Sequence, residues 1–133
     1  MKILFVCTGN ICRSPMAEAL WRQMGGDAFS AGLRAAPWAR ASWNAVDVMA
    51  ERGIDLTGHR AVRLDDEVAA RADLIVPLTE SLGAVIADRY PQVKDRILLM
   101  GNVPDPYGGD IDDYRQCADR VGEMLSRLKE TLG

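Results

Sequence analysis

The chain has 133 residues, of which 48% are hydrophobic and 26% are charged, with a formal net charge of −3. This length and composition are typical of one globular domain, and they argue against a disordered or membrane-embedded chain. The scattered Lys and Arg residues argue against a nucleic-acid surface. The apolar run at 2–6 is too short for a signal peptide or a membrane span, and three cysteines do not suggest a disulfide framework. We therefore expect a single cytoplasmic domain over 1–133.

The first third of the chain predicts a strand, a helix and a second strand. "KILFV" at 2–6 is a short continuous apolar run, which is typical of a strand covered on both faces of a parallel sheet. Ser14 can cap a helix that begins with Pro15 and ends before Gly25. A second strand is predicted over 28–32.

The rest of the chain continues this alternation of strands and helices. The predicted elements are a loop over 33–43, helices over 42–52, 65–71, 80–89 and 111–131, strands over 72–78 and 95–100, and a loop over 101–110. Together they predict an α/β, three-layer fold with a central four-stranded parallel sheet flanked by helices. Ligands bind such sheets beyond the carboxyl ends of the strands, where the loops after the first and last strands can meet.

The segment "CTGNICRSP" at 7–15 carries the strongest chemical signal. A loop between a strand end and a helix start exposes backbone N–H groups at the positive end of the helix dipole, and both attract an anion. Gly9 and Asn10 allow the backbone freedom that such a loop needs, and Arg13 offers a planar fork for two phosphate oxygens. The same positive groups would favour the thiolate of Cys7, which is the reactive form. The segment therefore predicts a phosphate-binding loop with a nucleophile at its base.

Other interpretations of Cys7 are a buried structural thiol or a metal ligand. A free cysteine is commonly buried, but a core cysteine has no need of an arginine at the mouth of the loop. A zinc site is not favoured, because Cys7 and Cys12 lack the usual ligand spacing and the chain holds one further cysteine and one histidine. A nucleotide-binding P-loop is not favoured either, since no Gly-Lys-Ser/Thr follows.

The arrangement of Cys7, five residues, Arg13 and then Ser14-Pro15 resembles the low-molecular-weight protein tyrosine phosphatase family. Further blocks that resemble this family follow in its order: "SAG" at 30–32, "GIDLTGHRA" at 53–61, "ADLIVPLT" at 72–79 and "DPYGGD" at 105–110. The resemblance implies hydrolysis of protein phosphotyrosine and small aryl phosphates through a phosphocysteine, with no metal or other cofactor.

By this resemblance, Cys7 is the nucleophile, Arg13 holds the phosphate, and Asp105 is the general acid and then the general base. Cys12 would be able to form a protective disulfide with Cys7, the alternative being a buried thiol. The residues assigned to the phosphate-binding loop are Thr8, Gly9, Asn10, Ile11, Cys12 and Ser14.

The resemblance also implies a hydrogen-bond network that holds this loop open. Its members would be Asn10, Ser14, Ser30 and His59. The alternatives are an ordinary surface or core histidine for His59 and a strand-edge serine for Ser30.

Aromatic side chains suggest the walls of the substrate slot. Trp38 and Tyr107 are predicted to flank an aryl ring, whereas Trp43 is expected in the core. Ile11 favours aryl substrates, because relatives that resemble protein arginine phosphatases tend to have threonine at this position.

Three alternative functions stay open on the sequence. An arsenate reductase on the same fold needs two further cysteines in the second half of the chain, where only Cys117 is found, on the apolar stripe of the last helix. A protein arginine phosphatase and a non-catalytic phosphate-binding module are the others. The expected partner is a phosphotyrosine protein, with a bacterial tyrosine kinase as a candidate by resemblance. The residues do not specify an oligomeric state.

Overall fold

The computed structural model describes residues 1–133 and shows a parallel sheet flanked by helices, as the sequence predicted. In chain order the elements are β1 (Lys2–Cys7), α1 (Arg13–Gln23), β2 (Asp27–Gly32), α2 (Trp43–Glu51), α3 (Asp66–Ala70), β3 (Leu74–Pro77), α4 (Glu80–Arg89), a 3-10 helix (Pro91–Arg96) and α5 (Ile111–Leu132). The strand order is β2-β1-β3, and both neighbours of β1 run parallel to it.

Strand β1 forms the centre of the core. Its residues Ile3, Leu4, Phe5 and Val6 are at most 1% exposed, because the strand has a neighbour on each edge and packed side chains on each face. The Phe5 ring meets the Trp21 ring of α1 edge-on, with the ring centroids 6.4 Å apart. A continuous apolar run is therefore what this position requires, and the sequence predicted it correctly.

The predicted fourth strand over 95–100 is wrong, so the sheet has three strands. Only Ile97 pairs with β3, through an isolated bridge to Ile75, and the N–H of Leu98 donates to the Ile75 carbonyl at 2.9 Å. The next position of β3 that faces this edge is Pro77, which has no N–H to extend the ladder. No residue of "ILLM" is fully buried, so this segment also lacks the cover on both faces that a parallel strand needs.

Helix α5 closes the side of the molecule on which α1 and α2 pack. It starts with a reciprocal capping box between Asp110 and Asp113. Its inner stripe is buried, as the spacing of apolar residues predicted. None of the helices is both long and apolar enough to cross a membrane.

Candidate active site

Residues 8–12 form the loop that joins the carboxyl end of the central strand β1 to the start of α1. Asn10 adopts a φ of 56°, in the left-handed region that asparagine tolerates better than most residues. Gly32 at the end of β2 lies directly against the loop, and a Cβ there would stand 2.6 Å from the Thr8 carbonyl oxygen. Only glycine therefore lets β2 approach this closely.

Asn10 is fully buried and holds the loop through hydrogen bonds of its side chain and its carbonyl. Its Nδ2 donates to the hydroxyls of Ser14 at 2.8 Å and Ser30 at 2.9 Å, and its Oδ1 accepts from the N–H of Val62 at 2.8 Å. The Nε2 of His59 lies 2.7 Å from the Asn10 carbonyl oxygen. The structure thus brings together the four residues for which the resemblance implied a network.

The network extends to a residue that sequence reasoning missed. The Ser30 hydroxyl donates to Oε1 of Glu18 at 2.7 Å, and the other carboxylate oxygen of Glu18 pairs with Arg22 at 3.0 Å. Glu18 lies one helical turn after Ser14 on α1, so the two side chains share a face of the helix. That spacing was the available signal.

Cys7 lies at the end of β1 and is 2% exposed. Its sulfur is 2.9 Å from the Ser14 hydroxyl oxygen and accepts the N–H of Asn10 at 3.3 Å. Both groups can donate to a thiolate, so the loop surrounds this sulfur with hydrogen-bond donors.

Arg13, the first residue of α1, is 5% exposed. Its Nη1 donates to the Val103 carbonyl at 3.1 Å, and its Nη2 lies 3.4 Å from the Thr8 hydroxyl and 3.6 Å from Oδ2 of Asp105. Its Nε is buried and has no hydrogen-bond partner. A buried donor without a partner is costly, and an oxygen of a bound anion would satisfy it.

Asp105 comes from the opposite end of the sequence and reaches the same cavity. Its side chain is half exposed, and its Oδ1 accepts the N–H of Tyr107 at 3.1 Å. This local turn sets the direction of the carboxylate. The hydrogen bond from Arg13 to the Val103 carbonyl anchors the segment two residues before it.

A cavity of about 230 Å³ contains these groups. The residues that line it are Cys7, Thr8, Gly9, Ile11, Cys12, Arg13, Asp105 and Tyr107. Tyr107, 70% exposed, is the aromatic residue of this lining, and its role as a wall of a substrate slot stays a prediction. Trp38, the other expected wall, does not line this cavity and is 78% exposed.

Trp43 is not in the core, so that expectation is wrong. Its side chain is 76% exposed. Trp43 is the first residue of α2, and the face that this helix turns inward consists of Ala45, Val48 and Met49. The first turn of the helix therefore presents Trp43 to solvent.

Cys12 contacts α5 as well as the cavity. Its sulfur lies 3.4 Å from the Tyr114 hydroxyl and 3.5 Å from the Ser42 hydroxyl, contacts that sequence reasoning missed because they join distant parts of the chain. Burial raises the pKa of the Cys12 thiol, and burial together with the Cys12 contact raises the pKa of Tyr114 to about 12. Cys7 and Cys12 are both free thiols here, and the protective disulfide stays a prediction.

Cys117 lies on the inner stripe of α5 and is 3% exposed. Burial raises the pKa of its thiol to about 12. It therefore packs in the core, as expected, and is poorly suited to thiol exchange, which requires a thiolate and access.

The family model for "Low molecular weight phosphotyrosine protein phosphatase" matches residues 2–133. The chain belongs to this family.

Relatives in this family carry different names. The chain is 42% identical over 130 residues to a probable low molecular weight protein-tyrosine-phosphatase EpsP of Ralstonia solanacearum, covering 96% of this chain and 88% of that protein. It is 36% identical over 132 residues to an arsenate reductase of Bacillus cereus (strain Q1), covering 97% and 94% respectively. The solved structure of the YwlE arginine phosphatase from Geobacillus stearothermophilus superposes with a TM-score of 0.93 at 37% identity, covering 98% of this chain and 92% of that one.

Proposed function

We propose that this protein hydrolyses phosphotyrosine in proteins, together with small aryl phosphates, through a phosphocysteine intermediate. The observation that carries this proposal is the shared cavity of Cys7, Arg13 and Asp105, in which the Arg13 and Asp105 side chains lie 3.6 Å apart. A nucleophile, an anion clamp and a proton donor are the three groups that metal-independent phosphoryl transfer requires.

In the first step, the Cys7 thiolate attacks phosphorus and the bond from phosphorus to the phenol oxygen breaks. The buried Arg13 guanidinium and the loop N–H groups hold the non-bridging oxygens. Asp105 gives its proton to the departing phenol oxygen. Because a phenolate leaves poorly, this proton transfer should contribute about 10²- to 10⁴-fold to the rate.

In the second step, water attacks phosphorus and the bond from phosphorus to sulfur breaks. Asp105, now a carboxylate, takes the proton from the water. The products are inorganic phosphate and the Cys7 thiolate, which the Ser14 hydroxyl and the Asn10 N–H stabilise. The network around Asn10 keeps these donors in position through both steps.

The rim of the cavity supports an aryl substrate. Ile11 and Tyr107 both line it, and they offer an aliphatic and an aromatic surface to a flat ring. Neither side chain adds a charge at the rim.

Phosphoarginine in proteins is the second candidate substrate. It is favoured by the likeness to the arginine phosphatase structure, which extends over 98% of this chain. The same cysteine chemistry would break a phosphorus–nitrogen bond, with Asp105 protonating the departing guanidine. The two candidates therefore share the nucleophile, the arginine and the acid, and they differ in the side chains that meet the phosphorylated residue, Ile11 and Tyr107.

A direct comparison tests the substrate class. We expect kcat/KM for a phosphotyrosine peptide to exceed that for a phosphoarginine peptide of the same sequence by at least about tenfold. Ile11→Thr should lower this ratio several-fold, whereas Ile11→Val, which keeps the apolar surface, should not. Activity confined to phosphoarginine would overturn the choice of tyrosine, and inactivity on both peptides and on p-nitrophenyl phosphate would overturn the phosphatase itself.

Reduction of arsenate is less well supported by this chain. A thiol relay from Cys7 needs further accessible cysteines in the second half of the sequence, and the one cysteine there, Cys117, is buried with a raised pKa.

A further inference from the structure

The segment over 33–43, which we call the rim segment, is attached to the phosphate loop at both ends. The N–H of Arg34 donates to the Thr8 carbonyl and the N–H of Ser42 donates to the Ile11 carbonyl, each at 2.9 Å. Thr8 and Ile11 both line the cavity, so the two ends of the rim segment lie next to the cavity lining.

The middle of the rim segment is also held in place. The N–H of Trp38 donates to the Ala61 carbonyl at 2.9 Å, and the N–H of Ala61 donates to the Ala39 carbonyl at 2.7 Å. Trp38 and Trp43 are nevertheless more than three-quarters exposed. Large exposed aromatic side chains on a segment whose backbone is held by hydrogen bonds are typical of binding sites, since they offer a large contact area.

Unpaired positive charge accompanies these tryptophans. Between Asp27 and Asp47 the chain has no acidic residue, although its net charge is −3. Arg34 and Arg40 are exposed, and neither guanidinium has a carboxylate partner. The arginines that do pair with carboxylates are Arg13, Arg22, Arg52 and Arg115.

A small pocket lies beside one of the free arginines. Its volume is about 140 Å³, and its lining residues are Arg40, Ala41, Trp43, Val46, Leu56 and Thr57. It has mainly apolar walls with a cation at its edge. A side chain with an apolar body, next to a carboxylate, fits this combination.

We propose that Arg34, Arg40 and Trp43 form a docking subsite for an acidic stretch of substrate polypeptide next to the phosphorylated residue. The inference rests on the proposed function, because it names what that function selects beyond the phosphate. Complementary charge sets the choice of partner: carboxylates pair with the free guanidiniums, and one apolar side chain enters the pocket. The ends of the rim segment are bonded to residues of the cavity lining, so we place the acidic residues at the positions that flank the phosphotyrosine.

The test compares phosphotyrosine peptides that carry acidic or neutral residues at the flanking positions. The unaltered protein should show a higher kcat/KM for the acidic peptide, and this preference should decline with added salt. Arg40→Glu should reduce the preference about three- to tenfold, the scale of one exposed ion pair and its reversal. Arg34→Glu is the second variant, and p-nitrophenyl phosphate verifies that each variant is folded and active.

Arg89→Glu is the matched control. Arg89 is exposed, has no carboxylate partner and lies at the end of α4. This helix starts at the carboxyl end of β3 and runs back about 15 Å toward the amino ends of the strands, away from the cavity. Arg89→Glu should leave the preference unchanged.

Equal rates on acidic and neutral peptides would overturn the docking subsite while leaving the phosphatase intact. The same holds if Arg89→Glu has the effect of Arg40→Glu. A dimer in sedimentation that Trp43→Ala abolishes, with peptide preference unchanged, would assign this face to a second copy of the chain. Inactivity of the unaltered protein on p-nitrophenyl phosphate would instead overturn the proposed function.

Discussion

The phosphate loop and the acid loop over 101–110 supply the two halves of one cavity, yet they are held in different ways. In the phosphate loop, Asn10 and Ser14 are fully buried and cross-linked by side-chain hydrogen bonds. In the acid loop, Asp105 is half exposed and Tyr107 is 70% exposed. The difference indicates that the phosphate loop is rigid and that the acid loop is less constrained and more exposed to solvent.

The acid loop is secured mainly at Val103. The N–H of Val103 donates to the Leu78 carbonyl at 2.8 Å, and its carbonyl accepts from Arg13 at 3.1 Å. This anchor lies two residues before Asp105, so it positions the carboxylate while leaving its far side free. Changes in the two loops should therefore have separable effects.

Cys7→Ser should have the largest effect. Replacing the thiol removes the nucleophile, so hydrolysis of p-nitrophenyl phosphate should fall by roughly 10⁴-fold or more. Steady-state kinetics measures this, and the activity of the unaltered protein should survive EDTA. Full activity in Cys7→Ser would contradict the mechanism.

Asp105→Asn should have the next largest effect and should depend on the leaving group. The amide cannot protonate a phenol, so kcat for phosphotyrosine should fall about 10²- to 10⁴-fold, with a much smaller loss on aryl phosphates whose phenols are strongly acidic. A series of aryl phosphates gives the dependence. An equal loss across the series would show that the acid loop has a structural role only.

Asn10→Ala, in the phosphate loop, should lower the free energy of unfolding far more than a substitution in the acid loop. It removes the Nδ2 donor from the hydroxyls of Ser14 and Ser30, leaves the Val62 N–H without its acceptor, and places alanine at a left-handed position. The free energy of unfolding should therefore fall by about 2–4 kcal/mol. Tyr107→Ala, in the exposed acid loop, should stay within about 0.5 kcal/mol. Urea denaturation compares them. Similar losses of unfolding free energy in both variants would mean that the acid loop is held as tightly as the phosphate loop.

The smallest effect concerns Cys117, which lines a second cavity behind the acid loop. Burial raises the pKa of Cys117 in the folded chain from 9.0 to about 12, so its stabilising contribution is complete below pH 9 and is lost as the pH rises toward 12. The free energy of unfolding should fall by about 1–2 kcal/mol between pH 8 and pH 10.5 from this group. Cys117→Ala should reduce the dependence of the unfolding free energy on pH over this range. An unchanged dependence in that variant would contradict the burial of Cys117.

Local sequence patterns predicted the elements in which the buried residues follow one regular pattern from end to end. The apolar run of β1 and the apolar stripe of α5 each specify their structure from neighbouring residues, and the structure agrees. The predicted cap of α1 by Ser14 is wrong: the helix begins at Arg13, its N-cap Cys12 makes no side-chain cap bond, and the Ser14 hydroxyl contacts Cys7 instead. The strand over 95–100 failed for a nonlocal reason: the edge of β3 that would receive it presents Pro77. The expected core position of Trp43 was wrong because this residue lies off the inward face of α2, which consists of Ala45, Val48 and Met49.

The sequence by itself determined where the phosphate loop lies, because Cys7, Arg13 and Ser14 fall within eight residues that join a strand end to a helix start. It also indicated Asp105 through its resemblance to a family block. Only the tertiary structure decided that Asp105 reaches Arg13, that Glu18 joins the network, and that Trp38 does not line the cavity. Such contacts join residues far apart in the chain, and they are set by how helices and loops pack on the sheet rather than by any local pattern.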